Sequence, residues 1–408
     1  MHAQSPIFQR PPMTPPTPAQ VETLTDLASA AYGSRVLFAT DEWFAPASRL
    51  LLPEPPVFLA DKFTSFGKWM DGWESRRKRT PGHDWCVLAL GLRGAVDVVD
   101  VDTAFFTGNN APRVSIQAAD FSQSGSDATL QILSAKATPE RAMGVCASPE
   151  ELRLAEQLKS HQWTEIVPPT KLGPGYAETR HNLLRVPPNK RGPWTHVRLN
   201  MFPDGGIARL RVYGEVVVDW TQGSTTKLLD LVSVAHGGKV VGFNDAHYGH
   251  PRNLVAPGRS KTMADGWETA RKVTRPAILK ADPKTGLLDV PGKDWVVLKL
   301  GHLGVIQQVE VDTNHFKGNF PESCVVYGTR FYGDDDEDKL LKEGAIKWEV
   351  VLPRVKLEAH KQQYFSVTDG KVNLIPAGVN YVKLEMYPDG GISRLRLLGH
   401  KLDAAARL

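Results

Sequence analysis

The chain has 408 residues, of which 41% are apolar and 23% charged, and its net charge is small (49 − 45 = +4). This length suits two domains, and the composition is that of a globular protein rather than a disordered or fibrous one. A nucleic-acid face is not indicated, since the one basic cluster lies at residues 76–79. No apolar stretch approaches membrane-spanning length, so no membrane partner is expected. Three cysteines without a CxxC pair fit a reducing compartment.

The sequence contains an internal repeat that follows a proline-rich N-terminal segment. Residues 1–20 carry five prolines between Pro11 and Pro18, which predicts a tail without regular structure. Beyond it, Asp71-Gly72-Trp73-Glu74 recurs as Asp265-Gly266-Trp267-Glu268, and Asp84-Trp85 recurs as Asp294-Trp295. The offset between copies changes from 204 to 194, 210 and 185 along the chain, as loop insertions on a common framework would produce. We therefore predict homologous domains at 21–214 and 225–400, a linker at 215–224 and a C-terminal tail at 401–408.

Each repeat is predicted to be mostly β. In chain order, the first repeat indicates a helix over 21–32 ended by Gly33 and a strand over 85–90 ended by Gly91. Strands over 95–102 and 114–117 follow, and then a helix capped by Ser148. Residues 196–202 and 207–213 flank a Pro-Asp-Gly-Gly turn and predict a hairpin. Antiparallel strands with few helices indicate an all-β sandwich or jelly roll in each repeat.

The Asp-Gly-Trp-Glu motif has two readings. Asp71 and Glu74 are able to accept hydrogen bonds from a ligand that approaches Gly72, or the motif is a structural turn in which Asp71 caps its own backbone. Trp73 and Trp267 are predicted to belong to the core. Because both copies keep the motif, its presence alone does not decide between the two readings.

Several polar residues around this motif are candidates for binding or proton transfer. Arg76 and Arg77 suit a carboxylate, although a solvated basic face is the ordinary alternative. His83 suits acid–base chemistry near neutral pH, but Lys293 replaces it in the second copy. Residues 102–109 end a strand and open a loop, where Asp102, Thr103 and Asn109, with Arg113 beyond, offer more polar groups than a turn needs.

No HExxH, phosphate-loop, GxSxG or dinucleotide motif is present, and no ligand spacing argues for a metal. No metal ligands and no cofactor are therefore assigned, although scattered His and carboxylate residues leave a divalent metal open.

Taken together, the motifs resemble the allantoicase family. The likeness rests on Met70–Glu74, Gly82–Trp85, Asp102–Asn109, Ala111–Gln117 and the Phe202–Arg209 block, and it covers almost the whole chain after residue 20. It implies a pair of galactose-binding-like jelly rolls, usually in a homo-oligomer. The implied activity is the hydrolysis of allantoate to (S)-ureidoglycolate and urea in purine (urate) breakdown.

The implied substrate is a carboxylate that bears two ureido groups on one carbon. It needs a cationic clamp, acceptors for N–H groups, and an acid and a base. We predict Glu74, His83 and Asp102 as catalytic residues. The predicted substrate-binding residues are Asp71, Arg76, Arg77, Thr103, Asn109 and Arg113 in the first repeat, and Glu268, Arg271 and His315 in the second. The site is expected mainly on the first repeat, with the second completing it or offering a thinner set.

A non-catalytic carbohydrate-binding pair of jelly rolls is the alternative, and the acid–base groups in the loops argue against it. A cytoplasmic location is expected, or a peroxisomal one through Ala406-Arg407-Leu408, which resembles the peroxisomal address Ser-Lys-Leu.

Overall fold

The computed structural model describes residues 21, 23–122, 127–138, 141–221, 227–274, 276–332 and 336–402. The chain divides between Glu215 and Val216 into two compact units. The predicted tail at 1–20, and all but the first two residues of the tail at 401–408, lie outside the described residues. The linker at 215–224 stays a prediction.

The first repeat is built from fourteen described strands and two short α-helices. The strands are β1 Thr25–Asp26, β2 Arg35–Ala39, β3 Asp41–Glu42, β4 Phe63–Thr64, β5 Gly67–Lys68, β6 Trp73–Glu74, β7 Asp84–Asp102, β8 Arg113–Ala119, β9 Val145–Cys146, β10 Thr164–Lys171, β11 His181–Arg185, β12 Trp194–Phe202, β13 Gly206–Ile207 and β14 Arg209–Val216. The helices are α1 Ala128–Lys136 and α2 Pro149–Glu156, with 3₁₀ turns at Ala30–Tyr32, Ala47–Leu51, Ser160–Gln162 and Pro188–Lys190.

The second repeat follows the same plan. Its strands are β15 Leu229–Asp230, β16 Lys239–Phe243, β17 Trp267–Glu268, β18 Lys280–Ala281, β19 Leu288–Asp289, β20 Asp294–Asp312, β21 Ser323–Thr329, β22 Glu349–Lys356, β23 Gln362–Ser366, β24 Val379–Tyr387, β25 Gly391–Ile392 and β26 Arg394–Lys401. The described residues also form helix α3 Asp338–Leu341 and 3₁₀ turns at Val234–His236, Pro251–Val255 and Met263–Asp265.

One long strand organises each repeat. The first half of β7 pairs antiparallel with β2 and β12, and its second half pairs with β11. The strand order β1-β14-β7-β12-β8-β10 recurs in the second repeat as β15-β26-β20-β24-β21-β22. The two halves of β7, and likewise of β20, pair with different strands, so each long strand contributes to both layers of an antiparallel sandwich. The core of the first repeat includes Leu88, Val99 and Ile116, all fully buried. The predicted all-β fold class is confirmed.

Gly91 does not end a strand, contrary to the prediction. The two strands predicted over 85–90 and 95–102 are one strand of 19 residues. A Cβ at Gly91 would overlap the carbonyl oxygen of Tyr32. Glycine is therefore required here because two backbone segments approach closely.

The predicted hairpin over 196–213 is also wrong. Strand β12 pairs with β7 and β8, whereas β14 pairs with β1 and neighbours β7 on the other side. The Pro-Asp-Gly-Gly segment therefore crosses from one layer to the other, and it begins with a cis peptide bond at Phe202-Pro203. Strands β12 and β14 lie on opposite sides of β7. Their sequence resembles a hairpin because the segment that joins them has the Pro and Gly residues of a hairpin turn.

Of the two predicted helices, one is confirmed. Helix α2 begins at Pro149 with a capping box between Ser148 and Glu151. The helix predicted over 21–32 is replaced by β1 and a 3₁₀ turn. Asp26 Oδ1 accepts hydrogen bonds from the amides of Ala28 and Val212, which compete with helical hydrogen bonding. Gly33 ends the turn with φ at 95°.

Candidate active site

Each repeat holds one carboxylate–amide pair at the same place in its fold. In the first repeat, Asn109 Nδ2 donates a hydrogen bond of 2.6 Å to Glu74 Oε1. In the second, Asn319 Nδ2 donates one of the same length to Glu268 Oε1. The sequence predicts Glu74 and Asn109 as site residues, and the structure brings them into direct contact.

Backbone pairing around Gly206 fixes this contact. Glu74 on β6 pairs with Gly206 on β13, and the Gly206 amide donates to the carbonyl oxygen of Asn109 at 2.8 Å. On its other side, the Glu74 amide donates to the carbonyl oxygen of Ala45 at 3.1 Å. The second repeat reproduces the arrangement, since Gly391 pairs with Glu268 and its amide donates to Asn319 at 2.8 Å.

A buried tryptophan anchors each glutamate strand. Trp73 and Trp267 are fully buried, which confirms that both belong to the core. Their indole Nε1 atoms donate to the carbonyl oxygens of Asp41 at 2.8 Å and Asp245 at 2.9 Å. The carboxylate beside each tryptophan is therefore presented from a rigid frame, as a site for chemistry requires.

The surroundings of Glu74 change its protonation. Burial raises the pKa of Glu74 to about 6, and the hydrogen bond from Asn109 opposes this rise only in part. Within the described part of the chain, no cation forms an ion pair with Glu74. A carboxyl with such a pKa exchanges a proton readily near neutral pH, as a general acid or base must.

In the second repeat the pair lines a cavity of about 440 Å³. Glu268 and Asn319 share its wall with two exposed cations, Arg271 and Lys356, and with Glu322. The structure thus brings together Glu268 and Arg271, which the sequence predicts as substrate-binding residues. It adds Lys356, which sequence reasoning missed.

The first repeat keeps the same chemical groups at matching positions. Arg77 corresponds to Arg271 at the offset of 194, and Lys171 corresponds to Lys356 at the offset of 185. The signal for the lysines is the Lys-Leu dipeptide at 171–172 and 356–357, which recurs at the same offset as the Pro-Asp-Gly-Gly block. This set of Glu, Asn, Arg and Lys, rather than Arg76 or His83, is what the two copies share.

Three other predicted residues bind within the fold. Asp71 is buried and pairs with the guanidinium of Arg209, Oδ2 to Nη2 at 2.8 Å. Asp102 Oδ1 accepts hydrogen bonds from the Arg180 Nε at 2.9 Å and from a backbone amide. Thr103 is buried, and its hydroxyl donates to the carbonyl oxygen of Gly173 at 2.9 Å. Their predicted roles in binding or catalysis stay predictions.

The predicted arginines of the first repeat differ in their surroundings. Arg76 Nε donates to Asp41 Oδ2 at 2.8 Å, and its guanidinium lies 4.4 Å from the centre of the Trp43 ring. Arg77 and Arg113 are exposed, and neither side chain makes a hydrogen bond or ion pair with any described residue. Arg77 and Arg113 are therefore the ones whose guanidinium groups face solvent and are open to a ligand.

The two predicted histidines lie in separate local networks. His83 Nε2 lies 3.1 Å from Asn200 Oδ1, and burial lowers the pKa of His83. Lys293 takes the same position in the second repeat and pairs with Glu385 at 2.8 Å. His315 has a positive φ of 72°, and its Nε2 lies 3.0 Å from the carbonyl oxygen of Ser260. Neither histidine contacts a glutamate of the carboxylate–amide pairs.

Comparison with known proteins decides the family. A model of the allantoicase repeat matches residues 25–217 and 229–402. A protein described as "Probable allantoicase" from Acinetobacter baumannii (strain SDF) is 38% identical over 383 residues, which cover 94% of this chain and 95% of the relative. The chain belongs to the allantoicase family. Another relative with that description, from Pseudomonas syringae pv. syringae (strain B728a), is 38% identical over 381 residues, 93% of this chain and 97% of its own length.

A solved structure supports the same conclusion. The crystal structure of allantoicase from Saccharomyces cerevisiae is 30% identical, has a TM-score of 0.64, and covers 92% of this chain and 93% of its own. Membership of the allantoicase family confirms the predicted pair of homologous jelly rolls and the predicted hydrolase. The carbohydrate-binding alternative is not supported.

The described residues contain neither a cluster of metal-binding side chains nor a helix able to span a membrane. Among them, no three His, Cys, Asp or Glu residues form a group that could hold a metal ion. No helix in the described ranges is long and apolar enough to cross a membrane.

Proposed function

We propose that this member of the allantoicase family hydrolyses allantoate to (S)-ureidoglycolate and urea at the Glu74–Asn109 pair of its first repeat. The observation that carries the proposal is the Glu74 carboxyl held by the neutral Asn109 amide at 2.6 Å with no cation of the described residues paired to it, and burial raises the pKa of Glu74 to about 6. Such a carboxyl is suited to give a proton to a leaving urea and to take one from water. Arg77, which is exposed and without an internal partner among the described residues, binds the carboxylate of the substrate.

The reaction needs two proton transfers, and Glu74 performs both. In the first step, the bond between the central carbon and one ureido nitrogen breaks. The second ureido nitrogen supplies electrons to that carbon, and protonated Glu74 gives its proton to the departing urea. In the second step, water adds to the carbon and the Glu74 carboxylate takes the released proton. The carbon then carries a hydroxyl group, one urea has left, and Glu74 is protonated again.

Asn109 and Lys171 complete this proposal. Asn109 holds Glu74 Oε1 and leaves the other carboxyl oxygen for the substrate. Lys171 holds the position that Lys356 has at the cavity of the second repeat, where a cation adds to the attraction for a carboxylate. His83 and Asp102 are weaker candidates for the acid–base group, because their side chains already contact Asn200 and Arg180.

The experiment is urea release from allantoate by the purified full-length chain, with and without a chelator. We expect urea at a rate well above that of the uncatalysed reaction. Activity that survives the chelator supports a mechanism carried by side chains alone, and a loss restored by added divalent cation would place a metal in the site. No urea release, together with binding to immobilised glycans, would contradict the proposed function.

Two further properties belong to the proposal. We infer a homo-oligomer from the family resemblance, and sedimentation of the purified chain tests it. The location is cytoplasmic, or peroxisomal through Ala406-Arg407-Leu408, which lies outside the described residues. Imaging of the chain with a fluorescent protein at its N-terminus, with and without those three residues, distinguishes the two.

A further inference from the structure

The second repeat closes its carboxylate–amide pair with a hairpin that the first repeat does not have. Between Lys272 and Gly292 the chain has sixteen more residues than between Lys78 and Gly82. Within this insertion, β18 and β19 pair antiparallel, Lys280 with Asp289 and Ala281 with Leu288. Leu288 and Val290 line the 440 Å³ cavity beside Glu268. The insertion therefore gives this cavity an apolar wall.

Polar contacts hold the hairpin in place over the site. The Leu288 amide donates to Glu322 Oε1 at 2.9 Å, and Lys356 Nζ donates to the carbonyl oxygen of Gly286 at 3.2 Å. Arg354 Nη2 reaches the Leu288 carbonyl oxygen at 3.5 Å. Two of these residues, Glu322 and Lys356, also line the cavity. Hydrogen bonds thus connect the apolar wall of the cavity to Glu322 and Lys356, two of its polar lining residues.

The cavity keeps unused binding capacity of both signs. Arg271 is exposed and makes no ion pair or hydrogen bond with a described residue. Glu268 Oε1 is held by Asn319, and no described residue binds its Oε2. The Glu322 side chain is only 9% exposed, and its buried Oε2 has no hydrogen-bond partner among the described residues; its nearest cation, Arg354, lies at 3.5 Å. Glu322 is therefore committed to the hairpin and to Arg354, and the open acceptor of the cavity is Glu268 Oε2.

We propose that this cavity is a separate binding site for a small ureido carboxylate. Arg271, assisted by Lys356, binds the ligand carboxylate, and the Glu268 carboxylate accepts hydrogen bonds from its ureido N–H groups. Leu288 and Val290 exclude water from one side of the ligand. The choice of ligand class rests on the proposed function, because the cavity repeats the Glu, Asn, Arg and Lys set of the first repeat. Each chain therefore binds two such molecules, one on each repeat.

The test measures binding of N-carbamoylglycine, which has one ureido group and a carboxylate, by calorimetry on the full-length chain. We expect two molecules per wild-type chain and one per chain of the Arg77→Ala variant. In the Arg77→Ala background, adding Arg271→Ala should weaken the remaining binding about tenfold or more. Arg271→Lys should restore part of it, because the charge returns without the fork.

Controls separate this inference from the proposed function and from misfolding. Arg330→Ala removes a partly exposed arginine of the second repeat that lies away from the cavity lining, where it donates to the carbonyl oxygen of Ala377, and it should leave the count at two. Thermal melting of each variant confirms that it is folded. Binding that persists in Arg77→Ala and is lost with Arg271→Ala supports the second site even if allantoate is not hydrolysed. One molecule per wild-type chain, lost with Arg77→Ala and indifferent to Arg271→Ala, would overturn it.

Discussion

Glu74 carries a cost in stability that the proposed catalytic role accounts for. Its pKa in the folded chain is about 6, against an ordinary 4.5, because burial disfavours the charged form. Between pH 4.5 and 6 the unfolded chain loses this proton first, so folding stability falls as pH rises through that window. Above pH 6 the full penalty, about 2 kcal/mol for a shift of this size, is present. A partly buried acid with this penalty destabilises the fold, and the proposed role in proton transfer gives a reason for it.

Glu74→Gln should remove that penalty and keep the hydrogen bond from Asn109. We expect the free energy of unfolding of Glu74→Gln, minus that of wild type, to be about 2 kcal/mol larger at pH 7.5 than at pH 4, so that the variant gains stability at the higher pH. Guanidinium chloride denaturation at both pH values measures this. Glu178→Gln, at an exposed carboxyl, is the matched control and should show no such change with pH. An equal effect of Glu74→Gln at both pH values would contradict the raised pKa.

Arg77 and Arg76 are neighbours with different partners. Arg76 is bound to Asp41 and stacked on Trp43, whereas Arg77 has no partner among the described residues. Arg77→Ala should therefore raise KM for allantoate about tenfold or more, because a charge-assisted contact to the substrate is lost. Arg76→Ala is the control, with a change in KM of less than about threefold. Steady-state kinetics of urea release decides, and the reverse order would move the carboxylate contact to Arg76.

At the scale of elements, the short pair of strands β6 and β13 positions the carboxylate–amide pair of the first repeat. Gly206 pairs with Glu74 and also binds the backbone of Asn109, so one residue sets the distance between the two side chains. A Cβ at Gly206 would overlap the fully buried ring of Phe106. Gly391 and Phe316 repeat this contact in the second repeat. Glycine is needed here for space, since neither its φ nor a turn requires it.

Gly206→Ala should displace β13 and with it the carboxylate–amide pair. We expect a loss of stability of about 1–3 kcal/mol, as for an overpacked core, and a fall in kcat of tenfold or more. Gly108→Ala is the matched control, because a Cβ there meets nothing within 4 Å and the residue lies next to Asn109. Thermal melting and urea release measure both effects. Wild-type kcat in a folded Gly206→Ala chain would show that β13 does not position Glu74.

Sequence reasoning reached the strands of each repeat but not the way they are connected. Alternating apolar residues over 114–117 predict β8, and the Ser148 capping box predicts α2, since both signals are local. The crossing between β12 and β14 and the unbroken β7 depend on which layer each strand joins. The sequence predicts that Gly91 ends a strand and that the Pro-Asp-Gly-Gly segment forms a hairpin turn. Glycine is favoured both in turns and where two backbones approach closely, so the sequence does not distinguish the two cases.

At the scale of the whole molecule, the internal repeat predicts the two domains, but comparing its two copies directs attention away from the residues that they share. Comparing the copies singled out Arg76 and His83 because they differ, yet both bind to their own repeat through Asp41 and Asn200. Among the groups shared by the two copies, Lys356 lies at the same cavity as Glu268 although the two residues are far apart in sequence, and Lys171 is its counterpart by sequence offset. Their distance in sequence from the Asp-Gly-Trp-Glu motif explains why the lysines were not predicted.

The two repeats differ in what surrounds the shared groups. Burial raises the pKa of Glu74 in the first repeat, and an inserted hairpin encloses Glu268 in the second. We therefore assign the chemistry to the first repeat and binding to the second. One scaffold that is used twice does not require two equivalent active sites.

The most direct test of this division is kcat/KM for allantoate in Glu74→Gln and Glu268→Gln, measured side by side as urea release. Removal of a general acid–base group should lower kcat/KM of Glu74→Gln by about 10²–10⁴-fold. Glu268→Gln, the same change in the matching pair, should stay within about threefold of wild type. Equal losses in both variants, or a loss confined to Glu268→Gln, would contradict the assignment of catalysis to the first repeat.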